Sequence, residues 1–138
     1  MDINYYAILV GSVLAMVVGA LWYGPLFGNM WMKIIGISPE DKQAREKMQK
    51  SAGPLYLIQF VLTLFQVFVL AMIVANWKDS AGYMTALWVW AGFVIPTIAG
   101  TAMWNNDSAK ISWGRFLIQG GYQLTIFLIF GLLLTYWT

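Results

Sequence analysis

Residues 54–77 read PLYLIQFVLTLFQVFVLAMIVANW and contain no Asp, Glu, Lys or Arg. Within them, residues 67–75 (VFVLAMIVA) are apolar on every side of a helix, whereas a helix of a water-soluble bundle keeps one polar face. At about 1.5 Å per residue, a helix of this length measures about 35 Å, which exceeds the roughly 30 Å hydrocarbon core of a bilayer. The stretch therefore predicts a membrane-spanning helix.

Three more uncharged stretches of similar length lie around this one, and together they give four predicted spans, 5–27, 54–77, 81–104 and 116–138. The 138-residue chain is 60% hydrophobic and only 10% charged, against about 25% charged residues in an average soluble domain. Because lipid offers the backbone no hydrogen bonds, such segments must be helical. We therefore predict an all-α fold, an integral membrane four-helix bundle that forms a single domain over residues 1–138, with a long connection at 28–53.

Lysine and arginine are distributed unevenly among the connections. The second connection has only Lys78, while the first and third contain Lys33, Lys42, Arg45, Lys47, Lys50, Lys110 and Arg115. By the positive-inside rule, the two basic connections face the cytoplasm and both termini lie outside. We expect an N-out/C-out, multi-pass protein of the cytoplasmic (inner) membrane of a bacterium. The net charge of +2 then reflects membrane topology, and no nucleic-acid partner is expected.

The first basic connection contains a pattern typical of a helix start. Ser38 is followed by Pro39, Glu40 and Asp41, which predicts Ser38 as the N-cap, proline at the first helical position and two acids near the positive end of the helix dipole. We therefore expect a short cytoplasmic helix between the first and second spans.

The residue types that carry most enzyme chemistry are missing. The chain has no Cys and no His, which excludes thiolate nucleophiles, imidazole acid–base chemistry and the usual zinc ligands. None of the four spans contains an ionisable Asp, Glu, Lys or Arg, the groups that proton relays and ion pumps place inside a membrane. We predict that the protein is not an enzyme and has no catalytic residue, no metal site and no cofactor.

The first span has a continuous strip of small side chains on one face, formed by Ala7, Gly11, Ala15 and Gly19. Such a strip lets another helix approach closely, and in lipid this packing replaces the hydrophobic driving force. The partner is either another helix of this chain or a second copy, and the sequence leaves both open. The third span has a looser strip in Gly92, Pro96 and Gly100, where the proline should kink the helix.

Two spans also carry polar stripes, each on one helical face. Their members are Gln59, Thr63 and Gln66 on the second span, and Gln119 and Gln123 on the fourth. An amide that faces lipid is unfavourable, so both stripes should point into the bundle or into an interface between protomers and bond one another. One hypothesis makes them structural contacts between helices, and the other makes them the lining of a polar cavity or path.

Residues 19–28 read GALWYGPLFG and are followed by Trp31, Met32 and Lys33. Gly24 and Pro25 should stop or bend the first helix, which predicts an aromatic collar around the break made of Trp22, Tyr23, Phe27 and Trp31. Anchoring of the helix end is one interpretation of this collar, and a pocket for a lipid or another hydrophobic ligand is the other.

The same segment resembles the start of the bacterial and fungal membrane family catalogued as domain of unknown function 1761. Residues 90–97 (WAGFVIPT) and 121–123 (GYQ), the latter leading into a hydrophobic helix that ends at Trp137, extend the resemblance over nearly the whole chain. The resemblance implies a small four-helix membrane protein and supplies no substrate and no catalytic residues.

These features together predict a non-enzymatic polytopic membrane protein. We expect its partners to be the lipid bilayer, further copies of itself in a homo-oligomer, or another membrane protein, with assembly through packed helices. The alternative is a small transporter or channel-like protein for an uncharged or amphipathic solute, or a lipid-binding protein.

Overall fold

A computed structural model of the chain describes residues 2–137. The fold is 83% helical, and no strand occurs among the described residues, which confirms the all-α class. Met1 and Thr138, which the predicted domain and the predicted fourth span include, lie outside the described residues.

Four helices are long and apolar enough to cross a membrane, and their bounds are Tyr5–Leu26, Gly53–Asn76, Gly82–Met103 and Ala109–Tyr136. The last helix begins at Ala109, well before the predicted start at residue 116. The reason is a cap at Ser108, whose hydroxyl oxygen accepts a hydrogen bond from the Ile111 amide at 3.4 Å. Arg115 therefore lies inside the helix. The predicted start was set by this charge, but a charged side chain does not prevent a helix from beginning earlier at a capping residue.

Seven α-helices and two π-helical segments make up these spans and their connections. In chain order they are α1 (Tyr5–Leu21), a first π segment (Trp22–Leu26), α2 (Gly28–Ile34), α3 (Lys42–Ser51), α4 (Gly53–Asn76), α5 (Gly82–Val89), a second π segment (Trp90–Val94), α6 (Ile95–Met103) and α7 (Ala109–Tyr136). We call the end of the bundle with α2, α3 and loop 104–108 the basic end. The end with residues 2–4, Trp137 and loop 77–81 is the terminal end.

Both π segments lie beside a proline. Pro25 is inside the first segment, and Pro96 follows the second. Proline has no amide hydrogen, and its ring clashes with the carbonyl four residues earlier. Near each proline, backbone amides therefore bond to the carbonyl five residues back, which is the π-helical pattern. In the first segment, the Phe27 amide donates to the Trp22 carbonyl five residues back, at 2.9 Å. The first span then ends, and α2 follows as a separate short helix.

The helix in the first basic connection begins later than the sequence pattern predicts, and the prediction of Ser38 as its N-cap is wrong. Asp41 caps α3, since its carboxylate accepts a hydrogen bond from the Ala44 amide at 3.1 Å. The Ser38 hydroxyl donates instead to Glu40 Oε2 at 2.7 Å, and the Asp41 amide donates to the Ser38 carbonyl at 3.0 Å. Because Ser38 is part of this turn, it does not cap the helix. The hydrogen bond from the Ser38 hydroxyl lowers the pKa of the exposed Glu40 carboxyl from its ordinary value.

The core lies in the half of the bundle nearest the terminal end. Its buried side chains come from α1, α4, α5 and α7, and they are Ile8, Ala15, Val67, Leu70, Ala71, Ala86, Ile126, Phe127, Phe130 and Leu134. Phe127 and Phe130 are the largest fully buried side chains, with ring centroids 5.8 Å apart. Because α7 contacts α1, α2, α4, α5 and α6, it is the central helix of the bundle.

The half of α4 nearest the basic end leaves this core. Residues 53–62 are exposed, apart from the half-buried Phe60, and the buried residues of α4 begin at Thr63. The exposed side chains include Leu55, Leu57 and Leu62, which point in different directions around the helix. Over this half, α4 is therefore open on every face.

Gly131→Ala tests the close approach of α7 to α5. A Cβ at residue 131 would lie 2.6 Å from Tyr83 Cα and 2.9 Å from Ala86 Cβ, so the helices would have to move apart. We expect the free energy of unfolding to fall by about 1–3 kcal/mol, as for other overpacked cores, measured as a lower Tm in lipid nanodiscs. Gly100→Ala is the matched control, because a Cβ there meets no atom within 4 Å. Equal Tm values for the two variants would contradict the packing described for α5 and α7.

Candidate functional site

The small-residue strip of α1 packs against α7 of the same chain. Its members are buried or half-buried, namely Ala7, Gly11, Ala15 and Gly19. A Cβ on Gly11 would lie 3.3 Å from Phe130 Cδ1, and one on Gly19 would lie 3.1 Å from the Tyr122 hydroxyl oxygen. The strip is thus occupied within the chain, and its surface is not available to a second copy.

The small-residue strip of the third span is in the opposite situation. Gly92 and Pro96 are exposed and Gly100 is half-buried. A Cβ on Gly92 or on Gly100 would meet no atom within 4 Å. This strip therefore faces outward from the chain with room for another helix to approach.

The four residues of the predicted aromatic collar lie together at the basic end. The ring centroids of Trp22 and Phe27 are 4.9 Å apart, and those of Tyr23 and Trp31 are 5.0 Å apart. Tyr122 of α7 joins the two pairs, at 5.5 Å from Tyr23 and 6.5 Å from Trp22. Sequence reasoning missed Tyr122, because nothing in its neighbourhood along the chain indicates contact with a residue about one hundred positions earlier.

Two hydrogen bonds fix the collar to α7. The Trp22 indole Nε1 donates to the Ile118 carbonyl at 2.9 Å, and the Tyr122 hydroxyl donates to the Ala15 carbonyl at 2.7 Å. Gly121 leaves space for the indole, since a Cβ there would lie 3.0 Å from Trp22 Cζ2. The collar thus ties α1 to α7, which favours anchoring over an open ligand pocket.

The polar stripe of α4 is satisfied mainly within its own helix. The Thr63 side chain is buried, and its hydroxyl donates to the Gln59 carbonyl at 2.8 Å. The Gln59 amide nitrogen is 3.3 Å from the Thr63 hydroxyl oxygen, although Gln59 itself is exposed. Gln66, one turn further along, is half-buried.

The polar stripe of α7 is not joined to that of α4 by any hydrogen bond between described residues. Gln119 and Gln123 are both half-buried. The Gln123 side-chain oxygen Oε1 is completely shielded and has no hydrogen-bond partner within residues 2–137. An unsatisfied buried acceptor costs about 1–3 kcal/mol, so this oxygen lowers the stability of the single chain.

The bundle has a cavity at each end. At the terminal end, a cavity of about 710 Å³ is lined mainly by polar groups, among them Asp2, Asn4, Lys78 and Thr135. Ala71 and Leu134, which belong to the core, also line it.

At the basic end, a cavity of about 430 Å³ lies between α6 and the first turns of α7. Asp107 lines it, and the Asp107 carboxylate forms an ion pair with Arg115. The sequence analysis did not predict this site, since it used Lys110 and Arg115 only as charges of a basic connection.

The side chains of these surfaces offer packing contacts, hydrogen bonds and one ion pair. Within residues 2–137, no group of three or more His, Cys, Asp or Glu side chains is placed to hold a metal ion. The amides of the two polar stripes can donate and accept hydrogen bonds, but at neutral pH they neither take up nor release protons.

A family model described as "Protein of unknown function (DUF1761)" matches residues 6–135, nearly the whole chain. No curated protein and no solved structure matches the chain significantly.

Tyr122→Phe tests whether the collar holds α1 against α7. Loss of the hydroxyl leaves the Ala15 carbonyl without its 2.7 Å bond, and we expect the free energy of unfolding to fall by about 0.6–1.5 kcal/mol, measured as Tm in nanodiscs. Tyr136→Phe is the control, because Tyr136 is 77% exposed. If Tyr122→Phe were as stable as the control, the collar would not be holding the two helices together.

Proposed function

The chain belongs to the family described as protein of unknown function DUF1761, and from that premise we propose that it is a non-enzymatic, multi-pass membrane protein that works as a homo-oligomer or as a subunit bound to another membrane protein. Its place is the cytoplasmic (inner) membrane of a bacterium. The first two spans are joined by a short cytoplasmic helix, α3.

The orientation rests on charge. Seven of the eight Lys and Arg residues lie at the basic end, and the one exception, Lys78, lies at the terminal end. The positive-inside rule then places the basic end in the cytoplasm and both termini outside.

The observation that carries the assembly is the exposed half of α4. Apolar side chains such as Leu55 and Leu62 lose nothing by facing lipid, but Gln59 on the same face is an exposed amide at membrane depth. Its contact with Thr63 uses one of its amide hydrogens and leaves the side-chain oxygen free. A second copy packed on this face would supply the missing polar partners.

The energy of such contacts is sufficient in combination with close packing, since interhelical hydrogen bonds to amides such as Gln59 contribute about 0.6–2 kcal/mol each in membranes. The free strip at Gly92, Pro96 and Gly100 offers a surface where another helix can approach closely, so a complex can grow from two faces.

The amino-acid composition of the chain supports a non-enzymatic role. The chain has no His and no Cys, and its spans keep their charges at the ends. Nucleophilic or acid–base catalysis would then have to use Tyr, Ser or the carboxylates of the connections, which is unusual chemistry for such a small site.

The alternative is transport of an uncharged or amphipathic solute. The polar cavity at the terminal end and the unpartnered Gln123 nearer the basic end are the features that favour it. Phe127 and Phe130, which are fully buried, lie between Gln123 and the cavity-lining Leu134 along α7. Transport therefore requires this core to open, whereas assembly uses surfaces that are already free, and we prefer assembly.

The orientation can be tested with cysteine labelling, since the natural chain has no cysteine. We expect Asp79→Cys, at the terminal end, to react with a membrane-impermeant maleimide in spheroplasts. Glu46→Cys in α3 should react only after the membrane is permeabilised. The reverse pattern would show that the basic end lies outside.

The assembly can be tested by disulfide cross-linking of single-cysteine variants. Leu62 lies on the face of α4 that also contains Gln59 and Gln66, and Leu57 lies on the opposite face of the same half. We expect Leu62→Cys to form a covalent dimer in native membranes under a mild oxidant, several-fold faster than Leu57→Cys. Adding Gln59→Leu should slow the Leu62→Cys reaction.

Two outcomes would count against the proposed interface. Equal rates for Leu62→Cys and Leu57→Cys would indicate random collision, and a monomeric mass in native mass spectrometry from mild detergent would exclude a stable homo-oligomer. Cross-linking of Leu62→Cys to a different protein would favour the role of a subunit in a mixed complex.

A further inference from the structure

The cavity at the basic end is lined by two helices and by the loop that joins them. Ala99, Ala102 and Met103 line it from α6, while Trp113 and Phe116 line it from α7. Its volume of about 430 Å³ lies within the range of roughly 300–1,000 Å³ that is usual for small-molecule sites. The small alanine side chains leave this space, so α6 and α7 do not close on each other here.

The position of the cavity along the bundle indicates an amphipathic occupant. Trp104 is 83% exposed and Trp113 is 63% exposed, and both lie at the basic end, where an aromatic belt marks the level of the lipid head groups. The alanine and phenylalanine side chains form an apolar interior, and Asp107 lies in the connecting loop. A molecule in this cavity therefore has an apolar part in the bilayer and a polar part at its surface.

The charges at the cavity select the sign of the polar part. Asp107 lines the cavity, and its Oδ2 receives the ion-pair contact from Arg115 Nη1. The other carboxylate oxygen, Oδ1, receives no hydrogen bond from the described residues, and the side chain is 28% exposed. A carboxylate oxygen without a hydrogen bond suits a head group that carries a positively charged hydrogen-bond donor.

We infer that this cavity binds one phospholipid whose head group has a primary ammonium, with an acyl chain between α6 and α7 and the ammonium donating to Asp107 Oδ1. A primary ammonium has three N–H donors, whereas a trimethylammonium has none, so only the former can hydrogen-bond to a carboxylate. The site rests on the membrane location of the chain and does not depend on its oligomeric state.

The test is native mass spectrometry of the full chain, delipidated and then exchanged with equimolar phosphatidylethanolamine, phosphatidylcholine and phosphatidylglycerol in mild detergent. We expect one retained lipid per chain, with phosphatidylethanolamine preferred about tenfold over phosphatidylcholine, the ratio that one charge-assisted hydrogen bond of ordinary strength gives. Asp107→Asn should remove this preference, and Asp107→Glu should restore most of it.

The cavity itself is tested by filling it. Ala99→Phe should lower the retention of all three lipids, because its ring takes the place of the acyl chain. Ala91→Phe, an exposed alanine of the same span, and Asp79→Asn, an exposed acid at the terminal end, are the matched controls and should retain lipid as the natural chain does. Circular dichroism of each variant checks that the helices are intact.

Equal retention of the three lipids by the natural chain, or an unchanged preference in Asp107→Asn, would overturn the inference. Loss of retention in the Ala91→Phe control to the same extent as in Ala99→Phe would also overturn it, because the bound lipid would then be adventitious. The same spectra report the oligomer mass separately, so failure of the proposed assembly and failure of the lipid site give different results.

Discussion

The close packing of α7 against α1 and α5 is the interaction on which the rest of the structure depends. It is possible because glycines lie at the contacts: Gly11 faces Phe130, and Gly131 faces the backbone of Tyr83. In lipid, such packing stabilises the bundle in place of the hydrophobic effect. An apolar side chain has no favourable free energy of transfer from the bilayer to a protein interior. The Tyr122 hydroxyl adds a hydrogen bond to Ala15 across the same contact.

This central packing also explains what is left open. With α1 and α5 seated on α7, α4 reaches the core only through residues from Thr63 onward. Its first half leaves the bundle with Gln59 exposed, and Gln123 of α7 keeps an unpaired buried oxygen. The half near the terminal end therefore contains the packed apolar core, while the half near the basic end has a free helix face and a cavity beside Asp107. Both proposals, for assembly and for a bound lipid, come from this asymmetry.

Much of the fold could be predicted because the membrane imposes simple rules on the chain. Uncharged stretches long enough to cross a bilayer predicted the four apolar helices. Pro25 and Pro96 indicated where the regular α-helix is interrupted, and π-helical segments occur there. The errors occurred where two local solutions compete. Ser38 and Asp41 are both good caps, and a turn bond to Glu40 decided between them. Ser108 extended α7 through Arg115, which sequence alone suggested as a boundary.

The sequence by itself determined the number of apolar helices and which side chains share a helical face, because both follow from composition and from the fixed period of a helix. Only the tertiary structure decided which of these faces are used within the chain. The α1 strip is covered by α7, the Gly92 strip stays open, and Tyr122 completes the collar from a distant segment. The physical reason is that the choice between a neighbour and lipid depends on the shapes of both helices at the contact, and that information lies in pairs of segments far apart in the chain.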